Sequence, residues 1–218
     1  MGTITRSFAN NITTSGVLLP ASLTNNSIAN VTAYNASIAT GSMKLISTQT
    51  ASNSASISFT TGIDSTYKEY QFWFVDIHAR ASGENFLFNM STDSGSNYNV
   101  TKTSTTFRAF HNEADTGTSL SYSTGSDLAQ STDFQQIING IGSGADENGS
   151  GHMSLFNPSS TTYVKHFISD ANSYNQGGDY SYRSLVAGYG NTTSAINAVR
   201  FQMSSGNFDG TILMYGIV

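Results

Sequence analysis

The chain has 218 residues, a length that suits one sizeable domain or one domain with an added segment. Ser, Thr and Asn supply 80 of these positions, whereas charged residues make up only 11%, less than half of the roughly 25% typical of soluble domains. The net charge of −5 and the scattered Lys and Arg exclude a basic stripe for nucleic acid, and a sequence without cysteine excludes a disulfide scaffold and thiolate chemistry.

Residues 1–42 differ in composition from the rest of the chain, because they hold a single charged side chain, Arg6. Clusters of Asn, Ser, Thr and Gly, which favour turns, separate short apolar pieces that are too small to build a core. The segment is therefore predicted to be an extended N-terminal arm that docks on another surface, with packing on its own domain as the alternative. The residues expected to make the contacts are Val17, Leu18, Leu19, Ile28 and Val31.

From Lys44 onward apolar residues recur at every second position, the spacing of β-strands. Tyr70–His78 is apolar at nearly every position, which predicts a central strand covered on both faces with Trp73 in the core. Short helical turns are expected at 64–68 and 126–130. Other strands are predicted at Ser56–Thr60, Asn85–Asp93, Thr105–Asn112, Phe134–Gly142, His152–Asn157, Thr162–Ala171, Tyr180–Tyr189, Ile196–Met203 and Thr211–Val218.

About ten strands separated by turn signals predict that residues 43–218 form an all-β, antiparallel β-sandwich of jelly-roll type. The turns at Asp93–Asn97 and Asn175–Asp179 are interpreted as hairpins, with a calcium loop as a weaker alternative for the first. Alternation also selects the expected core residues. They are Phe72, Phe74, Phe86, Phe88, Leu155, Phe201 and Ile212.

The titratable residues form no recognisable catalytic or metal-binding pattern. Asp76 and His78 are predicted to share one face of a strand, which fits an exposed polar face better than an oriented base or a metal site. No serine-nucleophile elbow, no His-Glu-x-x-His spacing and no paired carboxylates occur in the sequence. We therefore predict no catalytic residue, no metal and no cofactor, and no enzymatic activity.

Tyrosines accumulate in the later part of the chain, next to Asn and Asp. A tyrosine ring covers the apolar face of a sugar while polar neighbours bind its hydroxyls, so this region is the best candidate for a glycan site. Half-buried packing within the strands is the alternative. The candidate residues are Tyr174, Asn175, Asp179, Tyr180 and Tyr182.

Several segments spread over the chain resemble virion structural proteins of tailed phages, especially those of marine bacteria. The residues that carry the resemblance are Asn10-Asn-Ile-Thr-Thr-Ser-Gly-Val17, Lys44-Leu-Ile-Ser-Thr-Gln-Thr-Ala-Ser52, Ser56-Ile-Ser-Phe-Thr-Thr-Gly-Ile-Asp-Ser-Thr-Tyr67, Ser91-Thr-Asp-Ser-Gly-Ser-Asn-Tyr-Asn-Val100, Leu155-Phe-Asn-Pro-Ser-Ser160 and Gly210-Thr-Ile-Leu-Met-Tyr-Gly-Ile217.

The resemblance implies an appendage or decoration protein of a virion, assembled in the cytoplasm of the host bacterium and then exposed outside. The expected partners are other virion proteins, further copies of the chain with a trimer favoured, and host surface glycans, but neither nucleic acid nor the interior of a membrane. We expect the trimer interface to bury the apolar end, 212–218. The alternative function is a carbohydrate-binding module or a glycan-active enzyme.

Overall fold

A computed structural model describes residues 42–176 and 179–218, so the predicted arm contacts Val17, Leu18, Leu19, Ile28 and Val31 lie outside the described residues. Within this part of the chain there are twelve strands and no helix, and all strand pairs are antiparallel. The predicted all-β, antiparallel class is confirmed. The strands are β1 (Met43–Ser54), β2 (Ser56–Phe59), β3 (Glu69–Ala79), β4 (Glu84–Ser91), β5 (Lys102–Asn112), β6 (Thr118–Tyr122), β7 (Gln135–Ile141), β8 (Gly149–Phe156), β9 (Lys165–Asn175), β10 (Tyr180–Gly190), β11 (Ala198–Met203) and β12 (Phe208–Ile217).

The strands pack as two layers. The larger layer has the order β1-β12-β3-β8-β9-β10-β5-β6, and the smaller has the order β2-β11-β4-β7. A residue pair between Ile141 and Asn175 joins β7 to β9, and the Gln49 side-chain amide donates to the Ser58 carbonyl (2.9 Å) between β1 and β2. The jelly-roll type stays a prediction, which is supported by the nested pairing of β1 with β12 and of β2 with β11.

The space between the layers is filled by phenylalanine rings. Phe201 on β11 lies 5.3 Å from Phe72 and 5.2 Å from Phe74 of β3, and 5.8 Å from Phe86 of β4, measured between ring centroids. These contacts join strands of both layers, so the rings form one core. All seven predicted core residues are buried there, namely Phe72, Phe74, Phe86, Phe88, Leu155, Phe201 and Ile212.

Only one face of β3 is covered. Phe72 and Phe74 point to the smaller layer and are buried, whereas Trp73 and Val75 point away from it and are 41% and 40% exposed. The prediction that this strand is covered on both faces, with Trp73 in the core, is wrong. A strand with neighbours on both edges still has a free face when only one other layer packs on it.

A bulge in β3 separates the side chains of Asp76 and His78. Asp76 has a φ of 52°, and opposite it Gly210 has a φ of 135°, where a Cβ atom would lie 2.8 Å from the Asp76 carbonyl oxygen. The Asp76 carboxylate accepts a hydrogen bond from Asn148 (3.3 Å), and the His78 ring bonds the Glu147 carbonyl (2.6 Å). The two side chains have separate partners and do not act as a pair.

Several local predictions need correction. Residues 64–68 and 126–130 form bends and turns rather than helical turns, and the strands predicted from the sequence did not include β1 or β6. Asp93–Asn97 is a turn, but it connects β4 to β5, which do not pair, so it is not a hairpin. The Asp93 carboxylate accepts hydrogen bonds from Ser91 and Asn97, which lower its pKa to about 2.

Polar residues fill the inner side of the larger layer beneath β5. The Lys102 ammonium is fully buried and donates to the Asn89 side-chain oxygen and to the Val100 carbonyl, both at 2.7 Å. Burial lowers the pKa of Lys102 to about 7, and the negative charge of Asp133 opposes part of this shift. Folding therefore places a lysine that titrates near neutral pH inside the protein.

Replacing Phe74 by Ala is expected to lower the free energy of unfolding by ~3–5 kcal/mol, because the ring is buried against Phe86 and Phe201. Val75→Ala on the same strand is the control, and its half-exposed side chain predicts a much smaller loss. Urea unfolding followed by circular dichroism measures both. Equal losses for the two variants would contradict the assignment of the inner face.

The free energy of unfolding is expected to rise with pH above about 7. Between the folded pKa of about 7 and the unfolded value of 10.5 the unfolded chain binds more protons at Lys102, which gives a slope of up to about 1.4 kcal/mol per pH unit. Below pH 7 both states are protonated and this slope vanishes. Urea unfolding at pH ~7.5 and ~9.5 should show the rise, and Lys102→Met should reduce it to the contribution of Lys165, whose pKa is also lowered by burial. Lys68→Met removes an exposed lysine as the control, and an equal rise in K102M would refute the prediction.

Candidate functional site

The outer face is the side of the larger layer that points away from the smaller layer. Alternation along each strand decides which residues lie on it, as in β9, where Phe167 is buried and Ile168 is 51% exposed. Among the described residues, eight of the ten exposed large hydrophobic side chains belong to this face, so it is the main apolar surface of that part of the chain. They are Met43, Leu45, Trp73, Val75, Phe107, Leu120, Tyr122 and Ile168.

One row of the outer face crosses seven neighbouring strands in register. With about 4.8 Å between strands, the row is about 29 Å long. Five of its members are apolar or aromatic, and the other two are an imidazole and a carboxylate. In order across the layer, the row consists of Leu213, Trp73, His152, Asp170, Leu185, Phe107 and Tyr122.

Two contacts fix the orientation of Trp73, the single tryptophan of the chain, in this row. Its indole N–H donates to the Gln71 side-chain oxygen (2.8 Å), and its ring stacks on His152 with centroids 5.6 Å apart and planes at 27°. One face of the ring and its only polar atom are therefore already occupied. The remaining surface of Trp73 is suited to packing against another apolar surface rather than to covering a sugar ring.

The charges at the centre of the outer face are paired. Arg183 on β10 donates to both oxygens of Asp170 on β9, at 2.9 Å and 2.5 Å. This bidentate contact lowers the pKa of Asp170 and raises that of Arg183. Because the pair carries no net charge, it adds polarity to the face without repelling a second copy of the same face.

The five residues of the predicted glycan site do not share one surface. Tyr174 lies on the outer face and donates to Asp179 (2.8 Å), which raises the pKa of Tyr174 to about 12. Tyr180 and Tyr182 point to the opposite side of β10, where both pack on Phe110 at centroid distances of 4.9 and 6.3 Å, and Tyr182 is buried. The Asn175 amide bonds Asn139 (3.1 Å). The strand-packing alternative therefore describes Tyr180 and Tyr182.

Two shallow depressions lie on β9, β10 and β5 of the outer face. The larger, about 390 Å³, is centred on Ala187, whose small side chain leaves room between its neighbours on the adjoining strands. The smaller, about 230 Å³, includes Tyr174. Other side chains of the larger depression are those of Thr103, Thr105, His166, Ile168 and Tyr189.

The sequence alone did not identify the outer face. Its residues alternate with core residues along each strand. Alternation shows that odd and even positions lie on opposite faces, but it does not show which of the two faces another layer covers. Tyr70–His78 was misleading because both kinds of position are apolar there. The signal that could have indicated an exposed apolar face is a strand with large apolar residues on both faces in a sequence whose other strands mostly alternate.

Residues 42–176 and 179–218 contain no group of three or more His, Asp or Glu side chains placed to hold a metal ion. In the same ranges no helix is long and apolar enough to span a membrane. Comparison with protein-family models, with curated proteins and with solved structures finds no match to the chain.

Proposed function

We propose that the chain is a non-enzymatic structural protein of a tailed-phage virion. In this proposal, copies associate through the outer face, and residues 1–42 attach the protein to other virion proteins of the capsid or tail. The observation that carries the proposal is the concentration of exposed apolar side chains on the outer face. Monomeric soluble proteins rarely expose apolar patches of more than a few hundred Å², and larger ones mark interaction sites.

The size and charge of the outer face suit association between copies. The row is about 29 Å long, and four outward positions along a strand extend about 20 Å, which together give roughly 600 Å² for one copy. A pair of such faces reaches the lower limit of about 1,200 Å² for a stable interface. The expected contribution of 212–218 is smaller than predicted, because Ile212 and Met214 of β12 are buried in the core of their own chain.

The proposed role of residues 1–42 is supported by the make-up of the core. The described residues contain both layers and the phenylalanine rings that fill the space between them. A segment with one charge and short apolar pieces is free to contribute to binding instead of folding. In this proposal residues 1–42 attach the protein, and the sandwich is the folded part that the attached protein presents.

Ile168→Glu is expected to weaken association at least tenfold, because it places a charge in the middle of an apolar interface. Ser65→Glu, in an exposed connection away from the outer face, adds the same charge and should have no effect. Sedimentation equilibrium measures the oligomer. Acrylamide quenching of tryptophan fluorescence measures whether Trp73, the single tryptophan of the chain, is shielded from solvent in the oligomer. A wild-type monomer at all concentrations, or an I168E variant that associates normally, would exclude this interface.

Deletion of residues 1–42 is expected to leave the melting temperature nearly unchanged and to abolish incorporation into virions. Complementation of a phage that lacks the gene, followed by mass spectrometry of purified particles, measures incorporation. The full-length protein supplied in the same way is the control. An unfolded truncated protein, or one that enters particles normally, would reject the arm as the attachment element.

A second candidate function, binding of host surface glycans, is favoured by the depressions on β9, β10 and β5. Ala187 of the larger and Ser181 of the smaller lie six residues apart on β10, about 20 Å. In the larger one the Tyr189 and His166 rings are 6.0 Å apart and tilted by 58°. Its threonine hydroxyls and aromatic edges match the mixed apolar and polar surface of a neutral sugar.

If glycans bind there, Tyr189→Ala should reduce binding of the host surface polysaccharide at least tenfold. Tyr163→Ala removes a tyrosine that is exposed in a connection outside both depressions, and it should bind normally. Isothermal titration calorimetry with the purified polysaccharide measures the dissociation constants. Failure of the wild-type protein to bind would eliminate this second function but not the structural one.

A further inference from the structure

Strand β6 is an edge of the larger layer. Among residues 42–176 and 179–218 it pairs with β5 alone, over five consecutive residue pairs from Tyr122–Phe107 to Thr118–His111 without a register shift. Its sequence, Thr-Ser-Leu-Ser-Tyr, contains neither a charge nor a proline. The opposite edge, β1, has two register shifts and carries Lys44. Charges and bulges are the usual means by which proteins block strand addition, and β6 has none of them.

The alternation of hydrogen bonds shows which backbone groups of β6 are available. Ser123 donates to the Thr106 carbonyl (2.8 Å), which places Ser121 and Ser119 in the hydrogen-bonded pairs with β5. The N–H and C=O groups of Thr118, Leu120 and Tyr122 therefore face away from β5. These six groups repeat at every second residue, which is the arrangement that an added antiparallel or parallel strand requires.

The side chains of β6 add an apolar component to this edge. Leu120 is 77% exposed and lies on the outer face, next to Tyr122, whose ring meets Phe107 edge-on at 5.4 Å. An incoming strand that carries an apolar side chain at alternate positions would cover Leu120 while its backbone bonds the free edge. A short, uncharged segment with apolar residues at alternate positions is the partner that fits.

We propose that β6 accepts an added strand from residues 1–42 of a second copy of the chain, centred on Val17-Leu18-Leu19. This inference rests on the proposed attachment role of that arm. The 23 residues from 20 to 42 span on the order of 80 Å when fully extended, enough to reach a neighbouring copy. Because the arm has one charge and β6 has none, pairing desolvates no charged side chain near Leu18. Head-to-tail exchange of this kind forms a ring where the rotation between copies closes, and a threefold rotation gives the expected trimer.

The cysteine-free sequence provides a direct test by disulfide trapping. One preparation carries Leu120→Cys, and the other carries Leu18→Cys and a mass tag. V17C and L19C are tested in the same way, because the register between the arm and β6 is not fixed in advance. Residues opposite each other on paired strands are close enough for a disulfide. Oxidation of the mixture should give a linked dimer that contains one tagged and one untagged chain.

Three outcomes would overturn the inference. Dimers from L120C alone would show pairing between two β6 strands. A linked monomer from the double variant L18C/L120C, without mixed dimers, would show an arm bound within its own chain. No disulfide for any arm position would leave β6 without the proposed strand.

Leu120→Pro provides a second measurement, because it removes an N–H that faces away from β5 and leaves the β5 bonds in place. We expect L120P to keep its far-UV circular dichroism and to lose at least tenfold in association, whereas Leu120→Thr, which keeps the N–H, should lose less. If L120P associates normally while deletion of residues 1–42 still prevents incorporation, β6 is not the acceptor but the attachment role of the arm remains. If the deletion has no effect, the proposed function itself fails.

Discussion

The contact on which the rest of the structure depends is that of Phe201 with the rings around it. From β11 in the smaller layer, Phe201 meets Phe72 and Phe74 of the larger layer and Phe86 of its own layer, all within 5.8 Å. Each layer buries one face against these rings, and the chain provides no third layer among the described strands. The described strands therefore leave the other face of the larger layer uncovered, and this is the surface proposed for assembly.

Polar residues, which are frequent in this chain, occupy buried positions as well as the surface. Beneath β5 the inner positions are polar, and the Asn89 side chain bonds Lys102, the Met90 N–H and the Tyr98 and Thr132 carbonyls. Buried polar groups are tolerated when each has a partner, and Asn89 uses both of its polar atoms. The core thus has an apolar part between the layers and a hydrogen-bonded part below β5. Because Lys102 lies in the hydrogen-bonded part, the free energy of unfolding depends on the protonation of its side chain.

Period-two patterns predicted the all-β class and seven of the eight core residues that were named, because alternation is a local property of a strand. Three features were inaccessible to the same reasoning. The exposure of Trp73, the eighth named residue, depends on how many layers cover β3, and β6 is short, with Leu120 and Tyr122 as its only large apolar side chains. The burial of Lys102 depends on distant partners such as Asn89. The residues of the predicted glycan site do not lie together, because the side chains of Tyr174 and Tyr182, on neighbouring strands, point to opposite faces of the larger layer.

The aromatic core and the surface features lie mainly on different strands. Strands β1, β12, β3 and β8 with the smaller layer hold most of the aromatic core, whereas β9, β10, β5 and β6 carry both depressions, the Asp170–Arg183 pair and the edge at β6. Their inner side is anchored by polar contacts such as that of Ser104 with Gln135 (2.5 Å). Substitutions on the outer side of these strands change few buried contacts, so this surface is able to diverge with its partner while the fold is preserved.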